Sequence, residues 1–321
     1  MLNMLDLKDR RILYELDLNS RQSFQKIGRK IRLSKETVFH RIKKLEEQGI
    51  IQRYSTMVDV GKLGYINFRI FLKLQNTTTT KEQEIINYLE KQKAVGWFVT
   101  VEGNWDLNIW LLCKSIEELN EFWENFNKKY INYIAQMQLS VFTNITYFSK
   151  AYLLDIKNTY RFRFVTLPKE EKIDNIDKNI LKLMAPNSRI SVVDIAQKLG
   201  ISDRTVTTRI RNLERKKIIV GYKTLIDLSK WGYLYYKTHF KLSNITEEKE
   251  RIFRQYVFEH PNIVYDNIAI GGPNLEIDIQ VENTEKLREI LKEIKDKFSS
   301  VIQDHEILHY LKEYKYLLLP I

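Results

Sequence analysis

The chain has a single cysteine, Cys113, in 321 residues. One thiol closes no intrachain disulfide and builds no cysteine-based zinc site; in the apolar run from Ile109 it reads as a buried thiol. No apolar run approaches the roughly 18 to 20 residues that a membrane span needs. The stretch from Met1 to Arg11 carries Asp6, Lys8 and Asp9 where a signal peptide would be apolar. The expected location is therefore the cytoplasm, with no membrane partner. Nor is apolar material scarce enough for disorder: 44% hydrophobic and 12% aromatic residues supply cores for two to four domains.

What the chain does have is positive charge, +11 in all, and its placement says more than its size. Residues 20–53 hold ten Lys/Arg against three Asp/Glu, and residues 188–221 hold eight against three. These windows carry +7 and +5, which leaves the remaining 253 residues at −1.

The two basic windows belong to an internal repeat. Residues 9–74 match 177–242 without a gap at an offset of 168, with 26 identities in 66 positions. Asn19-Ser20-Arg21 answers Asn187-Ser188-Arg189, and Arg41-Ile42 answers Arg209-Ile210. Further on, identities thin out. Gly103 aligns with Gly272, the strand from Leu107 with one from Ile277 after one inserted residue, and Lys150-x-Tyr152 with Lys312-x-Tyr314. Pro168 and the charged run Lys169–Lys172 predict an exposed linker.

In each unit, apolar residues at helical spacing predict three helices: Leu7, Ile12, Leu13 and Leu16; Phe24, Ile27 and Ile31; Val38, Ile42 and Leu45. Ser34 is the expected N-cap of the third helix and Gly49 its end. The second copy repeats this with Ser202 and the face Val206, Ile210 and Leu213. The period then changes to two. Ile66, Phe68, Ile70, Leu72 and Leu74 alternate as a half-buried strand, and 80–93 reads as a helix. Strands at 95–101 and 107–113, a helix at 116–130 and a strand at 137–147 complete β-α-β-β-α-β, the ferredoxin-like order.

A third helix with an apolar inner face and cations outside fits a helix-turn-helix unit reading the major groove of duplex DNA. The outward residues are Lys35, Thr37, His40, Arg41 and Lys44 in one copy and Arg204, Thr205, Thr208, Arg209 and Arg215 in the other. With Ser34, Ser202, Arg21 and Arg189 they form the expected DNA-contacting set. Arginine can pair bidentately with guanine, whereas lysine mostly holds phosphate, so Arg41 and Arg209 are the expected base readers.

This sequence resembles the Lrp/AsnC, or feast/famine, family of bacterial and archaeal regulators. The resemblance rests on Asp9-x-x-Ile12-Leu13, Asn19-Ser20-Arg21, Leu33-Ser34-x-x-Thr37-Val38-x-x-Arg41-Ile42-x-x-Leu45-Glu46-x-x-Gly49-Ile50-Ile51, Leu63-Gly64-Tyr65 and Val101-Glu102-Gly103-x-x-Asp106. It implies an α+β chain of two winged helix-turn-helix domains alternating with two ferredoxin-like βαββαβ domains. The boundaries are 1–60, 61–154, a linker at 155–172, 173–228 and 229–321. It also implies a transcriptional regulator, not an enzyme. The two units would form an internal pseudo-dimer that assembles into a further homo-oligomer, and an amino acid or similar metabolite would bind at the turn Gly103, Asn104, Trp105 and Asp106. The second unit departs from the pattern at that turn, where Gly271-Gly272-Pro273-Asn274 stands.

Other readings predict different features. His239, His305 and His309 would form a metal or haem-like site if the second unit's first and last sheet strands bring them together, although isolated histidines are commoner and no metal or cofactor is expected. Sirohaem decarboxylases resemble the same two-domain architecture, but the segment where they carry histidine and arginine reads Gly96-Trp97-Phe98-Val99-Thr100 and Val264-Tyr265-Asp266-Asn267 here. A sequence-tolerant DNA-packaging or protein-interaction module is the remaining alternative.

Overall fold

The computed structural model describes residues 5–227, 229–316 and 319. The first four residues of the first expected domain, and the expected ends at 228 and 321, lie outside the described residues. The chain opens with α1 (Leu7–Leu18), α2 (Phe24–Ile31) and α3 (Lys35–Glu47). Ile12, Leu13, Ile27, Val38, Ile42 and Leu45 close their shared core, while Leu7, expected in that core, is exposed. Ser34 caps α3 by accepting the amide of Thr37 at 3.1 Å, and Gly49 at φ +66° lets the chain leave the helix. Then follow β1 (Ile51–Val58), β2 (Ile66–Leu74), α4 (Thr79–Lys91), β3 (Val95–Glu102), β4 (Leu107–Cys113), α5 (Ile116–Tyr130) and β5 (Ile134–Phe148). The expected linker is not a free tether: it contains β6 (Arg161–Val165), paired antiparallel with β5, with Phe162, Phe164 and Val165 buried.

The second unit consists of α6 (Asn175–Met184), α7 (Val192–Leu199), α8 (Asp203–Arg215), β7 (Ile219–Ile226), β8 (Leu234–Leu242), α9 (Glu247–Glu259), β9 (Ile263–Ile270), β10 (Leu275–Val281), α10 (Thr284–Phe298) and β11 (Ile302–Tyr316). Each element begins 168 residues after its counterpart, so the insertion expected before β10 does not exist. Gly271 answers Gly103, Asn274 answers Asp106, and Lys312 and Tyr314 answer Asn144 and Thr146. The adjacent glycines 271 and 272 leave the frame ambiguous in sequence where identities are few.

Each ferredoxin-like half has the strand order expected of that fold, β5-β2-β4-β3 and β11-β8-β10-β9. The halves join at both edges, β3 to β11 and β9 to β5, closing an eight-stranded barrel, and β6 pairs with the end of β5 on the edge away from β9. Closure explains why β2 is more than half-buried. Phe68, Ile70 and Leu72 pack against α4 and α5, and the opposite face, Asn67, Arg69 and Phe71, is buried inside the barrel instead of facing water. Lys237, His239, Glu276 and Asp278 are the corresponding interior residues of β8 and β10.

Below the barrel, β1 and β7 pair antiparallel, so the strand after each helical unit is completed by the other unit. The register sets Ser55 opposite Lys223, its own counterpart in the repeat, which places a local two-fold axis there. The axis also passes between Ser20 and Ser188, whose hydroxyls are 2.6 Å apart.

Candidate nucleic-acid interface and internal cavity

Two helices carry the expected DNA-contacting residues. On α3, Ser34, Lys35, Thr37, His40 and Lys44 are exposed beside a buried Val38, Ile42 and Leu45. On α8, Ser202, Arg204, Thr208 and Arg215 are exposed, Thr205 is half-buried, and Thr208 donates its hydroxyl to the carbonyl of Arg204. Lys43 and Arg211, equivalent in the repeat, share the outer face and were missing from the expected set. The hydroxyls of Ser34 and Ser202 are taken by capping, so what these residues offer a phosphate is a helix N-terminus.

Four arginines sit elsewhere than expected. Arg21 donates to the carbonyls of Ser188 and Ile190, and Arg189 donates to those of Ser20 and Gln22. This reciprocal latch clamps the two helical units together across the axis, with Arg189 over the ring of Phe24 and Arg21 over that of Tyr222. Arg41 and Arg209 do not point their guanidinium groups at open groove either. Arg41 is 2.8 Å from both Asp6 and Asp9, and Arg209 is 2.6 Å from Asp174 and 3.4 Å from Asp177. These pairs tether each third helix to the start of its unit.

This geometry gives Arg41→Ala a specific expected outcome. Exposed ion pairs contribute about 0.2 to 1 kcal/mol, so urea unfolding should show a loss of that size, and the base preference selected from random DNA should stay as it is. Base preference relaxing at one position with unchanged stability would show that the guanidinium reaches the groove.

The turn expected to hold a metabolite is committed to structure. Asp106 accepts the amide of Leu74 at 2.7 Å and the amine of Lys73 at 2.9 Å, its own amide donates to Leu72, and Trp105 stacks on Phe71. Asn274 does the same in the second unit, accepting the amide of Leu242 at 2.9 Å. Gly103 sits at φ +139°, where a Cβ would stand 2.9 Å from Leu308 and 3.0 Å from the carbonyl of Ile307; packing on β11 requires the glycine. Asn104 is exposed at the tip.

The histidines do not converge. In the β8–β11 register His239 pairs with Glu306, whereas His305 and His309 pair with Phe240 and Tyr236 on the opposite face and stack on those rings. No metal-binding group of three occurs among the described residues.

Inside the barrel, Arg69 and Glu276 form a fully buried ion pair between the two units, with Lys237 at 3.6 Å and His239 at 3.9 Å from the same carboxylate. Lys237 is also 2.6 Å from Asp278, which accepts Tyr235 at 2.7 Å and Asn267 at 3.2 Å. Nearer β1 and β7 the interior opens into a cavity of about 660 Å³. Nothing in the sequence marked it, because the residues around it come from ten strands of both units.

A profile described as winged helix-turn-helix DNA-binding matches residues 5–52 and 173–220. An uncharacterised HTH-type transcriptional regulator of Pyrococcus furiosus is 34% identical over 119 residues, covering 37% of this chain and 78% of that protein. The HTH-type transcriptional regulator Ptr1 of Methanocaldococcus jannaschii is 32% identical over 122 residues, covering 37% and 79%. The chain belongs to the Lrp/AsnC family of helix-turn-helix transcriptional regulators, in tandem-duplicated form, and is a DNA-binding regulator. Over its whole length its fold is similar to that of the siroheme decarboxylase NirDL, with a TM-score of 0.64, 13% identity, and 97% and 93% of the two chains covered. At that identity the likeness is one of fold. No helix among the described residues is long and apolar enough to cross a membrane.

Proposed function

We propose that one chain presents α3 and α8 together to a single asymmetric DNA site, its two units acting as a covalent heterodimer. The reciprocal Arg21 and Arg189 latch carries this reading, because it fixes the two reading helices to one frame. The barrel interior favours the same pairing. Glu276 and Asp278 of the second unit correspond to Asn108 and Trp110 of the first, so a first unit paired with another first unit would bury two copies of Arg69 without a carboxylate. Joining the partners in one chain also removes the concentration dependence of pairing.

The reading helices differ where they face outward: Lys35, His40 and Lys44 correspond to Asp203, Thr208 and Asn212. Selection from random DNA should therefore return two unlike half-sites about one helical turn (~34 Å) or a multiple apart, and a palindrome built from either half should bind more weakly. Equivalent half-sites in the selected motif would defeat the proposal. We read the chain as acting through DNA and not through catalysis, since Trp97, Val99, Tyr265 and Asn267 line the cavity at the segments that would have to supply histidine and arginine.

A further inference from the structure

Most charges in the barrel interior are matched. Arg69 has Glu276 and Lys237 has Asp278. Lys150 and Lys223 are the exceptions, and both face the cavity. They are 4% and 5% exposed, and neither amine has a carboxylate within 4.0 Å among the described residues. Lys150 donates to the Gln280 side-chain carbonyl at 3.2 Å, and Lys223 to the Tyr265 hydroxyl at 2.5 Å. An ammonium has three donors, so each amine keeps two without an acceptor among the described residues.

The two amines also stand over one ring, that of Tyr147, at 5.8 and 3.9 Å from its centre. Burial, and then the charge of Lys150, brings Lys223 down to about 7 against the weaker pull of the carboxylates of Asp17, Glu313 and Asp278. Two buried cations this close repel each other, and an anion placed between them would relieve both the repulsion and the desolvation. The rest of the wall has a different character. Trp97, Trp110, Phe142 and Phe164 supply broad aromatic surface, which an inorganic anion would leave uncovered. A volume of about 660 Å³ is within the usual range for sites that take a whole organic molecule.

We propose that this cavity binds a small organic acid with an apolar or aromatic body, its carboxylate held by Lys150 and Lys223 and its body against the aromatic wall. The site lies apart from the turn at 103–106, and Lys223 belongs to β7, the strand that follows the second reading helix. It does not depend on how DNA is read.

The test is calorimetric titration of the full chain at pH 6.5 with butyrate, octanoate, indole-3-acetate and 1-pyrenebutyrate, each compared with its primary amide. At least one acid should bind ten-fold or more tightly than its amide. Lys150→Met and Lys223→Met should each weaken that acid ten-fold or more, with an unchanged or higher melting temperature because a buried charge has gone. No heat from any acid at 1 mM, acids and amides equal within three-fold, or methionine variants binding like the parent would each overturn the proposal. If a variant fails to fold, the acid and amide comparison on the unaltered chain decides alone.

Discussion

Glu276→Gln should destabilise the protein by about 3 to 5 kcal/mol in urea unfolding, the usual cost of leaving one member of a buried ion pair without its partner. Both side chains are shielded from water, and Arg69 has no other carboxylate within 4.0 Å among the described residues. Converting both residues to methionine should restore much of the loss, since it removes two desolvated charges together. A double variant as unstable as the sum of the singles, or a single variant within 1 kcal/mol of the parent, would remove the pair as a determinant of how the units join. Acid unfolding reads the same contact. Burial alone would raise the Glu276 carboxyl, but Arg69, His239 and Lys237 outweigh it and hold the group down to about 2. An unfolded chain has glutamate near 4.3 and so takes up this proton first. The contribution is complete above about pH 4.3 and is lost as the pH falls towards 2. In Glu276→Gln that part of the acid limb should be flatter.

Affinity for duplex DNA should fall steeply with salt, with a log-log slope of about −5 to −9. Each neutralised phosphate contributes about −0.9, so six to ten contacts give that range, and a loss of roughly 10³ to 10⁵ between 50 and 200 mM salt. Exposed cations in sufficient number flank the two reading helices: Lys26, Arg29 and Lys30 on α2, Lys35, Lys43 and Lys44 on α3, and Arg204, Arg211 and Arg215 on α8. Lys44→Ala should flatten the slope by about one unit and weaken all sequences alike. A parent slope shallower than about −2 would mean that these cations do not face the backbone of DNA.

Local pattern made much of this legible. Val38, Ile42 and Leu45 announced α3 because a helix repeats every 3.6 residues, and Ser34 announced its start because a hydroxyl there satisfies an otherwise unpaired amide. The βαββαβ order followed from changes of period alone. What local pattern could not carry was pairing across 168 residues. The polar positions of β2 read as the open face of a half-buried strand, since nothing near them in sequence shows that a second sheet closes over them. Arg21 and Arg41 read as DNA contacts for the same reason: a cation's partner is visible only once the fold brings Ser188, or Asp6 and Asp9, beside it. The Gly103 turn was legible as a turn, but the engagement of its Asp106 by β2 was not.

The double seam of the barrel has a consequence for how the protein comes into being. When the first unit leaves the ribosome, β3 and β5 still lack the strands that will border them, and Arg69 waits without a counter-charge. The partner for β5 is β9, and for β3 it is β11, the final strand of the second unit. At about 5 to 20 residues per second, synthesis of the second unit takes roughly 10 to 30 s, far longer than the microseconds a hairpin needs to form. Throughout that interval the nascent half carries open edges of the kind that recruit strands from other chains. β6 covers the edge of β5 opposite the one that β9 must find, so that seam stays open. Vulnerability to aggregation therefore peaks during translation, and it ends only when β11 closes the ring.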